Sequence, residues 1–137
     1  MSTAVATIEA ALERGAVIRP AVGGFPYLAA SLREAGVSNV RVAVPSNAFV
    51  YLTADGSVLI QRAPIAAGVV DVAPFDEGAV VAAIRADQAG ELAFPDFMAA
   101  IWAAGVLAYE VDLAASTCTY RGADGSAHVE SFDVVQI

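Results

Sequence analysis

The polar chemistry of this chain is concentrated between positions 110 and 130. Glu110, Asp112, Cys118, Arg121, His128 and Glu130 all lie there, and they include the only cysteine and the only histidine of the 137 residues. A histidine beside a carboxylate has its protonated form favoured and can serve as a general acid or base near neutral pH. That makes His128, Glu130 and Asp112 the candidate catalytic set, in a small hydrolase or isomerase. Tyr109, Glu110, Tyr120, Arg121 and Trp102 are the candidate binding residues, aromatic or charged and close to the same segment. Glu110 and Asp112 alternate with Tyr109, Val111 and Leu113, so they share one face of a strand. His128 and Glu130 share one face of another. Whether those faces coincide depends on strand register. The alternative is that these residues form the solvated side of an antiparallel sheet, polar outside and apolar inside.

Other chemistries have little to work with. A single imidazole without HxH or HExxH spacing gives no metal site. Gly23-Gly24 lacks the GxxxxGK[ST] and GxGxxG patterns of phosphate and dinucleotide loops, so no cofactor is expected. One cysteine cannot form an intramolecular disulfide. A nucleophilic role paired with His128 is the one reactive use open to Cys118.

The elements that position these residues are legible because the chain contains itself twice. Residues 25–61 and 94–130 align without a gap at an offset of 69, with 12 of 37 positions identical. Each copy opens with Phe-Pro (Phe25-Pro26, Phe94-Pro95), and proline suits the first turn of a helix. Each runs about ten residues to a glycine, Gly36 or Gly105, which suits a helix end. The period then changes to two, through Val40, Val42 and Val44 or Tyr109, Val111 and Leu113. A second strand follows at 49–53 or 117–121. Both copies then carry Ala-Asp-Gly-Ser, a hairpin turn signal, before a third strand at 58–62 or 127–132. A further helix precedes each copy: 2–14, with Gly15 beyond it, and 77–89, with Asp76 as its N-cap. The connection 63–75 is too apolar for a flexible linker and has room for a short strand at 69–72.

The expected fold is α+β: an internal duplication of an α-α-β-β-β unit, with an antiparallel sheet and the helices packed on one face. One domain, 1–137, is expected, with pseudo-symmetric halves at roughly 1–62 and 76–132. Residues common to both copies serve the scaffold, so Asp55 and Asp124 are turn residues. The copies differ in polar chemistry: Glu110, Asp112, Cys118, Arg121, His128 and Glu130 stand where the first copy has Arg41, Ala43, Phe49, Leu52, Leu59 and Gln61. Cys118 in the place of Phe49 reads as a packed apolar position. Trp102, in the place of Arg33, reads as core.

Composition narrows the partners. The apolar fraction is 58%, above the usual range of about 45–50%. Much of the excess is alanine, which implies a tightly packed interior. The formal charge is −8, and all seven basic residues are scattered arginines. That excludes a phosphate-binding face for nucleic acid and disfavours anionic membranes. No apolar run reaches the roughly 18 residues of a membrane span, and the first residues do not read as a signal peptide. The cytoplasm is the expected compartment.

The second copy, with Phe-Pro, Ala-Gly-Val, 109–112, the Tyr120 strand, Asp-Gly and the His-Val-Glu ending in order, resembles a family of small uncharacterised bacterial proteins. The family is typified by the prophage-borne YbcV and YdfO proteins, some labelled "phage envelope protein". The resemblance implies a compact α+β fold and brings no catalytic residues. The leading reading is a non-enzymatic module that binds a small ligand or a protein, at the seam between the halves or across the second copy's polar strands. The other two readings are the His128 enzyme and a homodimer that works by assembly.

Overall fold

The computed structural model describes residues 2–137. Helix α1 spans Thr3–Ile18, capped by Ser2, whose hydroxyl accepts from the Val5 amide at 3.2 Å. It runs past Gly15, which the sequence reads as its end. Gly15 is buried, and a Cβ there would lie 2.6 Å from Leu28 Cδ1. It is therefore the point where α1 meets α2 (Phe25–Glu34), not a terminator. Helix α3 is Glu77–Gln88, with the Asp76 carboxylate accepting from the Ala79 amide at 3.0 Å. Helix α4 is Phe94–Ala103. Both α2 and α4 carry proline in their first turn, as their sequences predict.

The strands are β1 (Val37–Ala43), β2 (Ala48–Thr53), β3 (Gly56–Gln61), β4 (Val106–Asp112), β5 (Thr117–Gly122) and β6 (Ala127–Ser131). They form one antiparallel sheet in the order β3-β2-β1-β4-β5-β6. The two meanders meet along β1 and β4, where Val40 faces Val111 and Val42 faces Tyr109. From α2 to β2 the first-half elements lie 69 residues before their counterparts. Even the ladder irregularity recurs, at Val37/Asn39 and Val106/Ala108.

All four helices cover one face. Helix α1 packs on β3, α2 on β1, α4 on β4 and α3 on β6. Inward residues such as Val40, Val42, Tyr51, Tyr109, Val111 and Tyr120 join Ile8, Met98 and Ile101 in a single buried cluster. The connection after β3 holds neither helix nor strand, so no strand forms at 69–72, and Val69 is fully exposed. No helix among the described residues is long and apolar enough to cross a membrane.

Candidate functional site

Register decides which polar residues meet. Cross-strand partners share a face. In β4, β5 and β6 the partners are Tyr109–Tyr120, Val111–Cys118, Cys118–Glu130 and Tyr120–His128. His128 and Glu130 therefore point to the helix side of the sheet. Glu110, Asp112 and Arg121 alternate with inward residues and point to the opposite side. The sheet itself separates Asp112 and Glu110 from His128.

The reason is a slip of one residue between the copies. In the first half Tyr51 pairs with Val58; in the second, Tyr120 pairs with His128, one position beyond the 69-residue offset. The β5–β6 turn holds one more residue than the β2–β3 turn. A one-residue shift exchanges the two faces of a strand. His128 thus occupies the inward position of Val58 rather than the outward one of Leu59, and Val129 turns outward, 58% exposed. The same slip puts Phe132 in the place of Arg62. The Arg62 amide donates to the Asn47 carbonyl, and the Phe132 amide to the carbonyl of the matching Ser116.

On the outer face, Arg41 Nε donates to Glu110 Oε2 at 3.0 Å and Asn39 to Oε1 at 3.2 Å. Asp112 Oδ1 accepts from the Ala114 and Ala115 amides, both at 3.0 Å, and so closes the β4–β5 turn. Arg121 borders an open hollow of about 350 Å³ with Arg41, Val50 and Glu110. Trp102 is half-buried on α4 and packs against the core, apart from both sets of residues. Its first-half counterpart Arg33 instead donates to the Leu113 carbonyl at 2.8 Å and to Ser116 Oγ at 3.2 Å.

On the inner face, at the sheet edge, His128 Nε2 lies 2.8 Å from Glu130 Oε1, and Nδ1 lies 3.2 Å from Glu77 Oε2. Arg85 Nη2 and Nη1 donate to Glu130 Oε1 and Oε2 at 3.0 and 3.3 Å. Two residues of α3 are thereby tied to two of β6. The hydrogen bond to Glu130, reinforced by Glu77, holds the His128 pKa above its ordinary 6.5 against a smaller cost of burial. Partial burial opposes ionisation of Glu130. Together, however, the hydrogen bonds and charges of His128 and Arg85 outweigh it and hold its carboxyl below the usual value. With a carboxylate at each ring nitrogen, the imidazolium uses both N–H groups. No nitrogen is left free to take a substrate proton.

This edge cluster has a pH signature. A group whose pKa is raised on folding stabilises the fold below its unfolded value, and that stability is lost as pH rises through the folded value. Stability is therefore expected to fall as pH rises from the ordinary imidazole value of about 6.5 through the raised folded one, and His128→Gln is expected to flatten that decline. Urea unfolding across this range checks it; an identical slope in the variant would show that His128 does not latch β6 to α3.

Between the helices and the sheet, at the seam of the halves, lies a cavity of about 410 Å³. Phe49, Tyr51 and Arg62 line it from the first half, and Tyr109, Cys118, Tyr120 and Glu130 from the second. Phe25 and Phe94, the first residues of α2 and α4, border it with Arg19 and Asp87. Phe94 packs on Phe49 (5.8 Å between ring centres), and Phe25 packs edge-on against Phe132 at 5.1 Å. Tyr51 and Tyr120, the matched pair, are only 4% and 6% exposed. Arg62 stands near the Tyr51 hydroxyl and Cys118 near that of Tyr120. The Tyr109 hydroxyl has only a 3.9 Å contact with Met98 Sδ. Burial pushes the Cys118 thiol up to about 12, so it is neutral at pH 7 and a poor nucleophile. Among the described residues no cluster of three or more His, Cys, Asp or Glu is placed to hold a metal.

Of the residues singled out in the sequence, Tyr109, Cys118, Tyr120 and Glu130 reach this cavity. His128 lies beside it, and Asp112, Glu110, Arg121 and Trp102 lie elsewhere. Phe49, Tyr51, Arg62 and Phe94 were the sequence's omissions. Their only signal was recurrence of Phe-Pro and of Tyr51/Tyr120, which reads equally well as scaffold.

The family described as "Protein of unknown function (DUF1398)" matches residues 20–130. The chain is 44% identical over 136 residues to uncharacterized proteins of Mycobacterium tuberculosis (strain H37Rv) and Mycobacterium bovis. Those alignments cover 99% of this chain and 83% of each relative.

Proposed function

The chain belongs to the DUF1398 family of proteins of unknown function, and we propose that it is a non-enzymatic module that binds a small molecule in the seam cavity. One observation carries the reading. Tyr51 and Tyr120, more than nine-tenths buried and related by the repeat, line one aromatic cavity at the seam of the halves. Two phenols bordering one largely apolar space offer a ligand flat faces and polar groups together. The volume and aromatic lining fall within the ordinary range for small-molecule sites, about 300–1,000 Å³.

General acid–base chemistry at His128 has less support, because both ring nitrogens already face carboxylates. The same reading takes a small molecule, not nucleic acid or a membrane, as the partner, and the cytoplasm as the compartment. The tie to prophage-borne proteins rests on motif order alone.

A thermal-shift screen of small aromatic and aliphatic molecules tests the proposal. A cavity ligand is expected to raise the melting temperature in a saturable way. No saturable shift with any member of the screen would remove the main support.

A further inference from the structure

We infer that the cavity takes an aromatic monoanion whose ring packs against the wall of Phe49, Phe94 and Tyr51 and whose carboxylate meets Arg62. The inference rests on the binding reading above and adds the chemistry of the ligand. Its first support is the asymmetry of the two cavity corners. At one corner Phe25 packs on Phe132 beside Cys118. At the matching corner Phe94 packs on Phe49, and the place of Phe132 is taken by Arg62. One corner is closed by an aromatic ring where the other presents a cation.

The second support is charge balance around the cavity. Glu130 is held by Arg85 and His128. Asp87 has the Arg19 charge near it. Arg62 has no carboxylate within 4 Å among the described residues, and its guanidinium sits 5.3 Å from the centre of the Phe49 ring. The uncompensated charge at the mouth is therefore positive, although the chain as a whole carries −8. Arg62 is exposed at the rim, while Tyr51, with its hydroxyl toward Arg62, is buried. That sequence of groups suits a ligand with its apolar end inward and its anionic end at the mouth. A guanidinium paired with a phenol is a charge-assisted receptor for a carboxylate.

The third support is wall shape. Phe49 and Tyr51 lie near parallel, 20° apart at 6.5 Å, and Phe94 and Phe97 continue the wall at 6.3 Å. Flat faces favour a planar ring over a flexible alkyl chain.

Isothermal titration of the full chain with cinnamate, cinnamyl alcohol and octanoate tests the inference. Cinnamate is expected to bind about tenfold or more tightly than the isosteric alcohol, the gain of a charge-assisted contact. Arg62→Gln is expected to erase that ratio while leaving the alcohol's affinity in place, and Arg41→Gln, on the outer face of the sheet, to preserve it. Equal binding of acid and alcohol, or a ratio untouched by Arg62→Gln, overturns the anion. Tighter binding of octanoate overturns the aromatic ring. Failure of all three probes at millimolar concentration, with the thermal-shift screen also blank, overturns the binding reading itself.

Discussion

Gly105→Ala is expected to cost about twice as much stability as Gly36→Ala or more, although the two glycines are repeats of one another. Both end a helix with positive φ, +90° and +94°. For an L-residue that conformation alone costs roughly 1–2 kcal/mol. At Gly36 nothing lies within 4 Å of an added Cβ, so that strain is the whole penalty. At Gly105 the same Cβ would sit 2.4 Å from the Pro74 carbonyl oxygen and 2.7 Å from its carbon. Both are backbone atoms, and the chain there is not free to retreat. The Asp76 amide donates to the Ala104 carbonyl at 2.9 Å, and the Asp76 side chain caps α3. A Cβ added at Gly122 would lie 2.7 Å from the neighbouring Phe75 side chain. Relief would require moving the connection, the α3 cap and the start of β4 together. Overpacking of this kind adds about 1–3 kcal/mol or more to the φ cost. Urea unfolding of both variants measures the difference. Equal losses would show that the connection yields freely and that Gly105 is needed only for its φ.

The contrast shows what a repeat can and cannot reveal. Element order, helix starts at Phe-Pro, helix ends at Gly36 and Gly105, and both hairpins follow from local chemistry that recurs, and all were legible. Gly15 was not, because a glycine after a helical run means either a cap or a close helix contact, and only α2 decides between them. The face of His128 was not legible for a sharper reason. A gapless alignment assumes equal hairpins, whereas one extra residue in the β5–β6 turn exchanges the faces of β6. His128 and Glu130 then fall on the side away from Asp112 and Glu110, and find their partners on α3.

The cavity was the least visible feature. Empty volume is set by how far α2 and α4 stand off the sheet, which no residue announces. Comparing copies even diverted attention, since Tyr51 and Tyr120 recur and recurrence reads as scaffold. Here the shared pair is both: each ring belongs to the core and also lines the cavity. The useful asymmetry lies at Arg62 against Phe132, matched only by the structure, and at Phe49 against Cys118, matched by the alignment as well.

That last pair supplies the second large effect. Cys118→Phe is expected to weaken cavity binding while keeping the fold. The first half already holds a phenyl at the equivalent site, where Phe49 is buried against Phe94 and beneath Arg62. The backbone of β5 follows the same ladder as β2 and accepts the same side chain. Cys118 is 6% exposed and lines the seam, so the added ring has the cavity as its nearest free volume. Filling it buries apolar surface at roughly 25 cal/mol per Å², offset by crowding against Phe25 and Phe132 of about 1–3 kcal/mol. The net change in stability is therefore small, whereas the volume left to a ligand is reduced. A fall in cinnamate affinity of at least about tenfold, with urea stability within about 1–2 kcal/mol of the parent, is the expected outcome. Unchanged affinity in a folded variant would place the ligand outside the seam. Loss of folding is answered by Cys118→Leu, a smaller filler expected to weaken binding in the same direction.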